Sequence, residues 1–157
     1  MTEHADGTHV VSLTIPAEPR WLALCRLVLS GLCRLGPVDD EMLADLKLAV
    51  TEACSNSVRH AYGEDGSGLV SIRYELGADS LAVEVCDAGQ GFRFDRPVPE
   101  LAPRPEELRE DEMGLAIIHA LVDEVVIGAG PDDRGTRISF VKYFAGGPNG
   151  SAEASSD

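Results

Sequence analysis

The spacing of apolar residues predicts three helices and five strands. Alternating apolar positions predict strands at 10–15, 69–76, 81–86, 123–127 and 136–143. Apolar positions three and four apart predict helices at 18–35, 39–62 and 113–122. The chain order is strand, two helices, two strands, helix, two strands. It predicts an α/β two-layer sandwich, with helices on one face of a mixed, mostly antiparallel sheet.

The remaining segments divide the chain into one folded domain and two ends. We expect a flexible N-terminus over 1–9, a domain over 10–144 and a disordered tail over 145–157, which is rich in Gly, Ser and acids. Within the domain, residues 93–112 are rich in proline and charge and have no apolar period. A long irregular segment in a compact domain is often a functional lid.

The helix predicted over 39–62 carries two stripes. Apolar or small residues form the first, which faces a core: Leu43, Leu46, Val50, Ala53 and Ser57. Glu52, Asn56 and His60 form the second, at spacings of four, so a carboxylate, an amide and an imidazole line up. Asn is unfavourable inside a helix, so its presence needs a reason.

Two interpretations of this second stripe are open. An amide oxygen suits Mg²⁺, which keeps several waters and shares its remaining ligands with phosphates. A carboxylate one turn away then orients or deprotonates a hydroxyl that attacks a phosphoryl group. The alternative is that Glu52 and Asn56 are ordinary solvated residues and that His60 caps or packs near the helix end.

A second group of polar and small residues follows the predicted strands. Asp87 ends a strand and precedes Gly89 and Gly91, and a carboxylate there can accept a hydrogen bond from an exocyclic amine such as that of adenine. Gly114 lies just inside the next helix, whose N-terminus attracts phosphate. Thr136 opens the last strand, where its hydroxyl can reach the same ligand. Each motif is weak alone, but their order is informative.

Composition narrows the class of protein. The 157 residues suffice for one domain, and the net charge of −14 argues against a broad basic surface for nucleic acid or an anionic membrane. The sequence shows neither an apolar run of membrane-spanning length nor a signal peptide, so we expect a cytoplasmic protein. The four cysteines lack metal-site spacing and are expected to be reduced and mostly buried.

Taken together, the motifs resemble those of a known family. They are Glu52-x-x-x-Asn56-x-x-x-His60, Asp87-x-Gly89-x-Gly91, Met113-Gly114 and Gly135-Thr136. This series resembles the Bergerat ATPase domain shared by gyrase, Hsp90, histidine kinases and MutL (the GHKL superfamily). It is most similar to the anti-sigma-factor serine kinases of the RsbW and SpoIIAB type, over about residues 10 to 144.

The resemblance implies a role for each motif residue. Glu52 would be the general base, and Asn56 would hold Mg²⁺ between the phosphates of ATP or ADP. Asp87 would accept from the adenine amine. The other nucleotide-binding positions implied are His60, Gly89, Gly91, Met113, Gly114 and Thr136.

The resemblance also implies partners. Such a kinase sequesters a sigma factor and phosphorylates a STAS-type anti-anti-sigma protein, and it commonly forms a homodimer. One position departs from the family pattern, because Glu112 stands where a glycine is usual. The alternative is therefore a catalytically silent anti-sigma binding module. A histidine-kinase fragment is disfavoured, because the chain has no long pair of dimerisation helices.

Overall fold

The structure, a computed structural model, describes residues 2–3, 7–61, 68–87, 110–130 and 134–144. Its strands are β1 (Thr2–Glu3), β2 (His9–Pro16), β3 (Leu69–Leu76), β4 (Ser80–Asp87), β5 (Glu124–Ala129) and β6 (Thr136–Tyr143). Its helices are a 3-10 turn (Pro19–Trp21), α1 (Leu22–Cys33), α2 (Asp40–Ala61) and α3 (Glu110–Leu121).

The strands form one six-stranded sheet in the order β1-β2-β3-β4-β6-β5. All five pairings between the described strands are antiparallel. The helices pack on one face, where α2 contacts α1, α3, β3 and β4. The predicted two-layer α/β sandwich is confirmed.

Several boundaries differ from those predicted. Thr2 and Glu3 pair with β2, so part of the expected irregular N-terminus is a strand. Residues 110–112, predicted to belong to the irregular segment, form the first turn of α3. The rest of that segment, Gly89, Gly91 and the predicted tail lie outside the described residues.

Alternation along the strands places the core between the sheet and the helices. In β3, Val70, Ile72 and Tyr74 are buried, whereas Leu69 and Arg73 point to the open face and are exposed. Apolar burial on one face is what holds a sandwich of this kind together. None of the helices in the described ranges is long and apolar enough to cross a membrane.

Helix α2 lies at the centre of the helical layer. Asp39 caps it, because the backbone N–H of Met42 donates to Asp39 Oδ1 at 2.8 Å. Leu46, Val50 and Ala53 are fully buried, which confirms the apolar stripe predicted from the sequence. The second stripe, which contains Glu52 and Asn56, lies on another side of this helix.

A hydrogen bond from the buried side chain of Tyr74 connects the sheet to α1. The hydroxyl of Tyr74 on β3 donates to the carbonyl oxygen of Cys25 on α1 at 2.8 Å. Cys25, Cys33 and Cys54 are buried and Cys86 is half-buried, and all four thiols are free. The prediction that the cysteines are mostly buried is confirmed.

Candidate functional site

The stripe of Glu52 and Asn56 on α2 lies against α3, not in solvent. Asn56 is fully buried, so the alternative that it is an ordinary solvated residue is wrong. The neighbouring position on α3 is Gly114, where an added Cβ would lie 2.8 Å from Glu52 Oε2 and 3.5 Å from Asn56 Nδ2. A glycine is needed here because a side chain would displace the carboxylate.

The amide of Asn56 is only partly satisfied. Its Oδ1 accepts a hydrogen bond from the guanidinium of Arg59, one turn further along α2. Its Nδ2 is buried and has no hydrogen-bond partner among the described residues. Burying an unsatisfied donor costs about 1–3 kcal/mol, so the arrangement favours a site that a ligand completes.

The second group predicted from the sequence assembles where β4 and β6 meet. Asp87 and Thr136 lie directly opposite each other in the antiparallel register. Both are buried, with 2% and 1% of their surfaces exposed. The hydroxyl of Thr136 has no hydrogen-bond partner within the described part of the chain. A carboxylate and a hydroxyl thus stand side by side on the helix-facing side of the sheet.

A residue that sequence reasoning missed supports this second group. Gly130 follows β5 and packs so closely on β4 that an added Cβ would lie 2.8 Å from the carbonyl oxygen of Asp87. Its N–H donates to the carbonyl oxygen of Gly135, whose φ of 69° lies in the left-handed region. Nothing in the sequence distinguishes Gly130 from an ordinary turn glycine, because its neighbour Asp87 comes from a different hairpin.

The other predicted positions have a more peripheral placement. His60 is half-buried one turn beyond Asn56, and Met113 is 37% exposed beside Gly114 on α3. Glu112, where a glycine was expected, is half-buried in the first turn of α3. Carboxylates are favoured in the first turn of a helix, so this departure has a local structural reason.

The residues present fit a magnesium nucleotide. Asp87 and Thr136 offer an acceptor and a hydroxyl to a polar heterocycle, and Gly114 lets Glu52 and Asn56 pack closely against α3. The described residues hold no cluster of three or more His, Cys, Asp or Glu suited to a metal. A single amide oxygen from Asn56, with phosphates and water as the other ligands, is the donor set that Mg²⁺ commonly accepts.

Comparison with known proteins gives the same picture over most of the chain. A family model described as the histidine kinase-like ATPase domain matches residues 15–142. Serine-protein kinase RsbW of Bacillus subtilis (strain 168) is 39% identical over 152 residues, which cover 93% of this chain and 91% of that protein. Serine-protein kinase RsbW of Staphylococcus aureus is 34% identical over 141 residues, covering 85% and 86%.

Solved structures support the fold. The RsbU and RsbW domains of a Mycobacterium tuberculosis protein superpose with a TM-score of 0.59 at 23% identity, covering 85% of this chain and 32% of that one. The histidine kinase domain of a blue-light-activated kinase from Erythrobacter litoralis gives a TM-score of 0.54 at 21% identity, covering 88% and 66%. At such identities the likeness concerns the fold alone.

Proposed function

Because this chain belongs to the histidine kinase-like ATPase family, and within it to the serine-protein kinases named RsbW, we propose that it is an anti-sigma factor. It is also an ATP-dependent protein serine/threonine kinase. It sequesters a sigma factor and phosphorylates a STAS-type anti-anti-sigma protein. The observation that carries this proposal is the packing of Gly114 against Glu52 and Asn56, which holds a carboxylate and an amide together against α3.

In this proposal Glu52 is the general base. A carboxylate that accepts the proton of a serine hydroxyl makes its oxygen a better nucleophile toward the γ-phosphorus. Gly114 lies against that carboxylate in the first half of α3, whose N-terminus favours phosphate. Bound Mg²⁺ neutralises phosphate charge, and Asn56 would hold it through Oδ1. The direction of the reaction, ATP to ADP, follows from the kinase family.

Asp87 and Thr136 recognise the base of the nucleotide. The Asp87 carboxylate accepts from the adenine amine, and the Thr136 hydroxyl, which has no partner among the described residues, hydrogen-bonds the same end of the ligand. His60, Met113, Gly89 and Gly91 complete the site as the family motif implies. We propose no role for them beyond that.

The silent binding module is the weaker alternative. It rested on Glu112, but the position that contacts Glu52 and Asn56 is Gly114, and that glycine is retained. Glu112 lies two residues earlier in α3. For the complete function we further propose a cytoplasmic homodimer, with a net charge of −14 that suits basic surfaces on its partners rather than nucleic acid or membrane.

Phosphate transfer tests this function. The purified chain is mixed with [γ-³²P]ATP, Mg²⁺ and a folded STAS-domain partner, and label on the partner's serine is followed. Glu52→Gln should bind nucleotide but transfer at least about 100-fold more slowly, which is the usual worth of a general base. Glu41→Gln is the matched control, because Glu41 is an exposed acid in the first turn of the same helix.

Two results would count against the proposal in different ways. Transfer by Glu52→Gln at the wild-type rate would remove Glu52 from the role of base. Absence of transfer by the wild type, with sigma-factor binding retained, would leave only the anti-sigma half.

A further inference from the structure

Arg59 has a contact that the proposed mechanism does not use. Its backbone lies on the exposed side of α2, yet its guanidinium reaches the buried amide of Asn56 and donates to Oδ1. That oxygen is the one atom of the protein proposed to bind Mg²⁺. The guanidinium of Arg59 therefore bonds to the atom that the proposed function assigns to Mg²⁺.

The hydrogen bond also decides which way the amide points. The Cβ position of Gly114 lies 3.5 Å from Asn56 Nδ2 and 3.6 Å from Oδ1. Packing against α3 therefore does not determine which of the two atoms points in which direction. A guanidinium has donors and no acceptor, so only the oxygen can face it. Arg59 therefore sets the orientation of Asn56 and turns its oxygen toward the side from which Arg59 itself approaches.

Arg59 approaches from the solvent side. Asn56 is fully buried, whereas Arg59 is exposed and only the end of its side chain reaches inward. Long cationic side chains commonly lie this way, with their stems along the surface. A ligand arriving from solvent would therefore meet the guanidinium and the amide oxygen together.

A guanidinium and Mg²⁺ compete for this place. Mg²⁺ would need Oδ1 as an oxygen ligand, and this is the atom that accepts the hydrogen bond from Arg59. Two cations sharing one neutral oxygen also repel each other. Binding of one therefore requires the other to move away.

We propose that Arg59 stands in for Mg²⁺ at Asn56. In the metal-free protein it holds the amide oxygen toward the phosphate site and supplies the positive charge there. With magnesium nucleotide bound, Oδ1 would be a ligand of Mg²⁺ and the Arg59 guanidinium would no longer bond to it. This inference rests on the proposed nucleotide site. Its measurable consequence is that Arg59 lowers the dependence of nucleotide binding on magnesium.

The test measures ADP affinity by isothermal titration calorimetry, once in EDTA and once in saturating Mg²⁺. Wild type, Arg59→Gln and Arg59→Lys are compared, with Arg34→Gln as the matched control because Arg34 is an exposed arginine at the end of α1. In EDTA, Arg59→Gln should weaken ADP binding about tenfold, as expected when one charge-assisted contact is lost. In Mg²⁺ its affinity should stay within about threefold of wild type.

The decisive quantity is the dissociation constant of ADP in EDTA divided by that in Mg²⁺. It should rise in Arg59→Gln and stay at the wild-type value in Arg59→Lys and Arg34→Gln. An unchanged ratio in Arg59→Gln would overturn the inference. If binding weakened equally in EDTA and in Mg²⁺, Arg59 would be an ordinary phosphate contact, and if it did not weaken at all, Arg59 would have no role in nucleotide binding. Failure of wild type to bind ADP under either condition would instead overturn the proposed function, and this inference with it.

Discussion

Strands β4 and β6 pair along their whole length, but the middle of this pairing differs from one of its ends. Near the middle, Val83 lies opposite Phe140, and each is 1% exposed. At the end of β4, Asp87 lies opposite Thr136, and these are 2% and 1% exposed. The two pairs are about equally buried, but the first consists of apolar side chains and the second of polar ones.

The difference separates the part of the sheet that makes the fold from the part that we propose binds the nucleotide. Val83 and Phe140 gain from leaving water and need nothing more. Thr136 loses water and gains no hydrogen bond from the described residues. Folding alone does not explain a buried hydroxyl of this kind, whereas a ligand that supplies its partner does. The apolar middle and the polar end of this pairing should therefore respond differently to substitution.

The largest effect on stability is expected in the apolar part. Phe140→Ala removes a buried ring and leaves a cavity, which should lower the free energy of unfolding by about 3–5 kcal/mol. Urea unfolding followed by circular dichroism measures it. A loss below about 1 kcal/mol would mean that the apolar middle of the pairing does not carry the fold.

Asp87→Asn should weaken nucleotide binding but change the free energy of unfolding little. The amide keeps the shape of the side chain but loses the charge that strengthens a bond to adenine, so ATP affinity should fall by about 1.5–3 kcal/mol. The free energy of unfolding should change far less than in Phe140→Ala. Calorimetric titration and urea unfolding of the same preparation give both values. A large loss of stability with unchanged affinity would make Asp87 a structural residue.

Thr136→Val gives a smaller and more specific effect. The substitution preserves shape and removes only the hydroxyl, so nucleotide affinity should fall by about 0.5–1.5 kcal/mol. The apo protein should be as stable as wild type or slightly more stable, since a buried unsatisfied group is gone. Thr14→Val, at an exposed position on the open face of the sheet, is the control. Lower apo stability in Thr136→Val would show that the hydroxyl has a structural partner.

The effect that is smallest at neutral pH concerns the apolar region alone and grows only as the pH rises above 9. Burial raises the pKa of Cys33 from 9.0 to about 11, so the folded state favours the neutral thiol. This contribution is complete below pH 9 and is lost as pH rises toward 11. The fall in unfolding free energy over that range should be up to about 2 kcal/mol smaller in Cys33→Ala. Equal slopes in both proteins would contradict it.

Much of this contrast was predictable from local patterns. The helical period places Asn56 one turn from Glu52, and Asp87 follows directly from the alternation of β4. The contact of Gly114 with Glu52 was not predictable, because it joins two helices far apart in the chain. Arg59 was missed for another reason. An arginine on a helix is ordinary, and only the structure shows which atom it reaches.

We propose that the Glu52 and Asn56 stripe of α2 and the adjoining end of β4 and β6 form one magnesium-nucleotide site. Thermal unfolding with and without Mg-ATP, for wild type and Asn56→Ala, tests it most directly. Nucleotide at about a hundred times its dissociation constant should add about 2.7 kcal/mol, or roughly 5–10 °C for wild type. Asn56→Ala should lose most of that rise while remaining folded. An unchanged melting temperature for wild type at saturating Mg-ATP, or an equal rise in Asn56→Ala, would contradict the account.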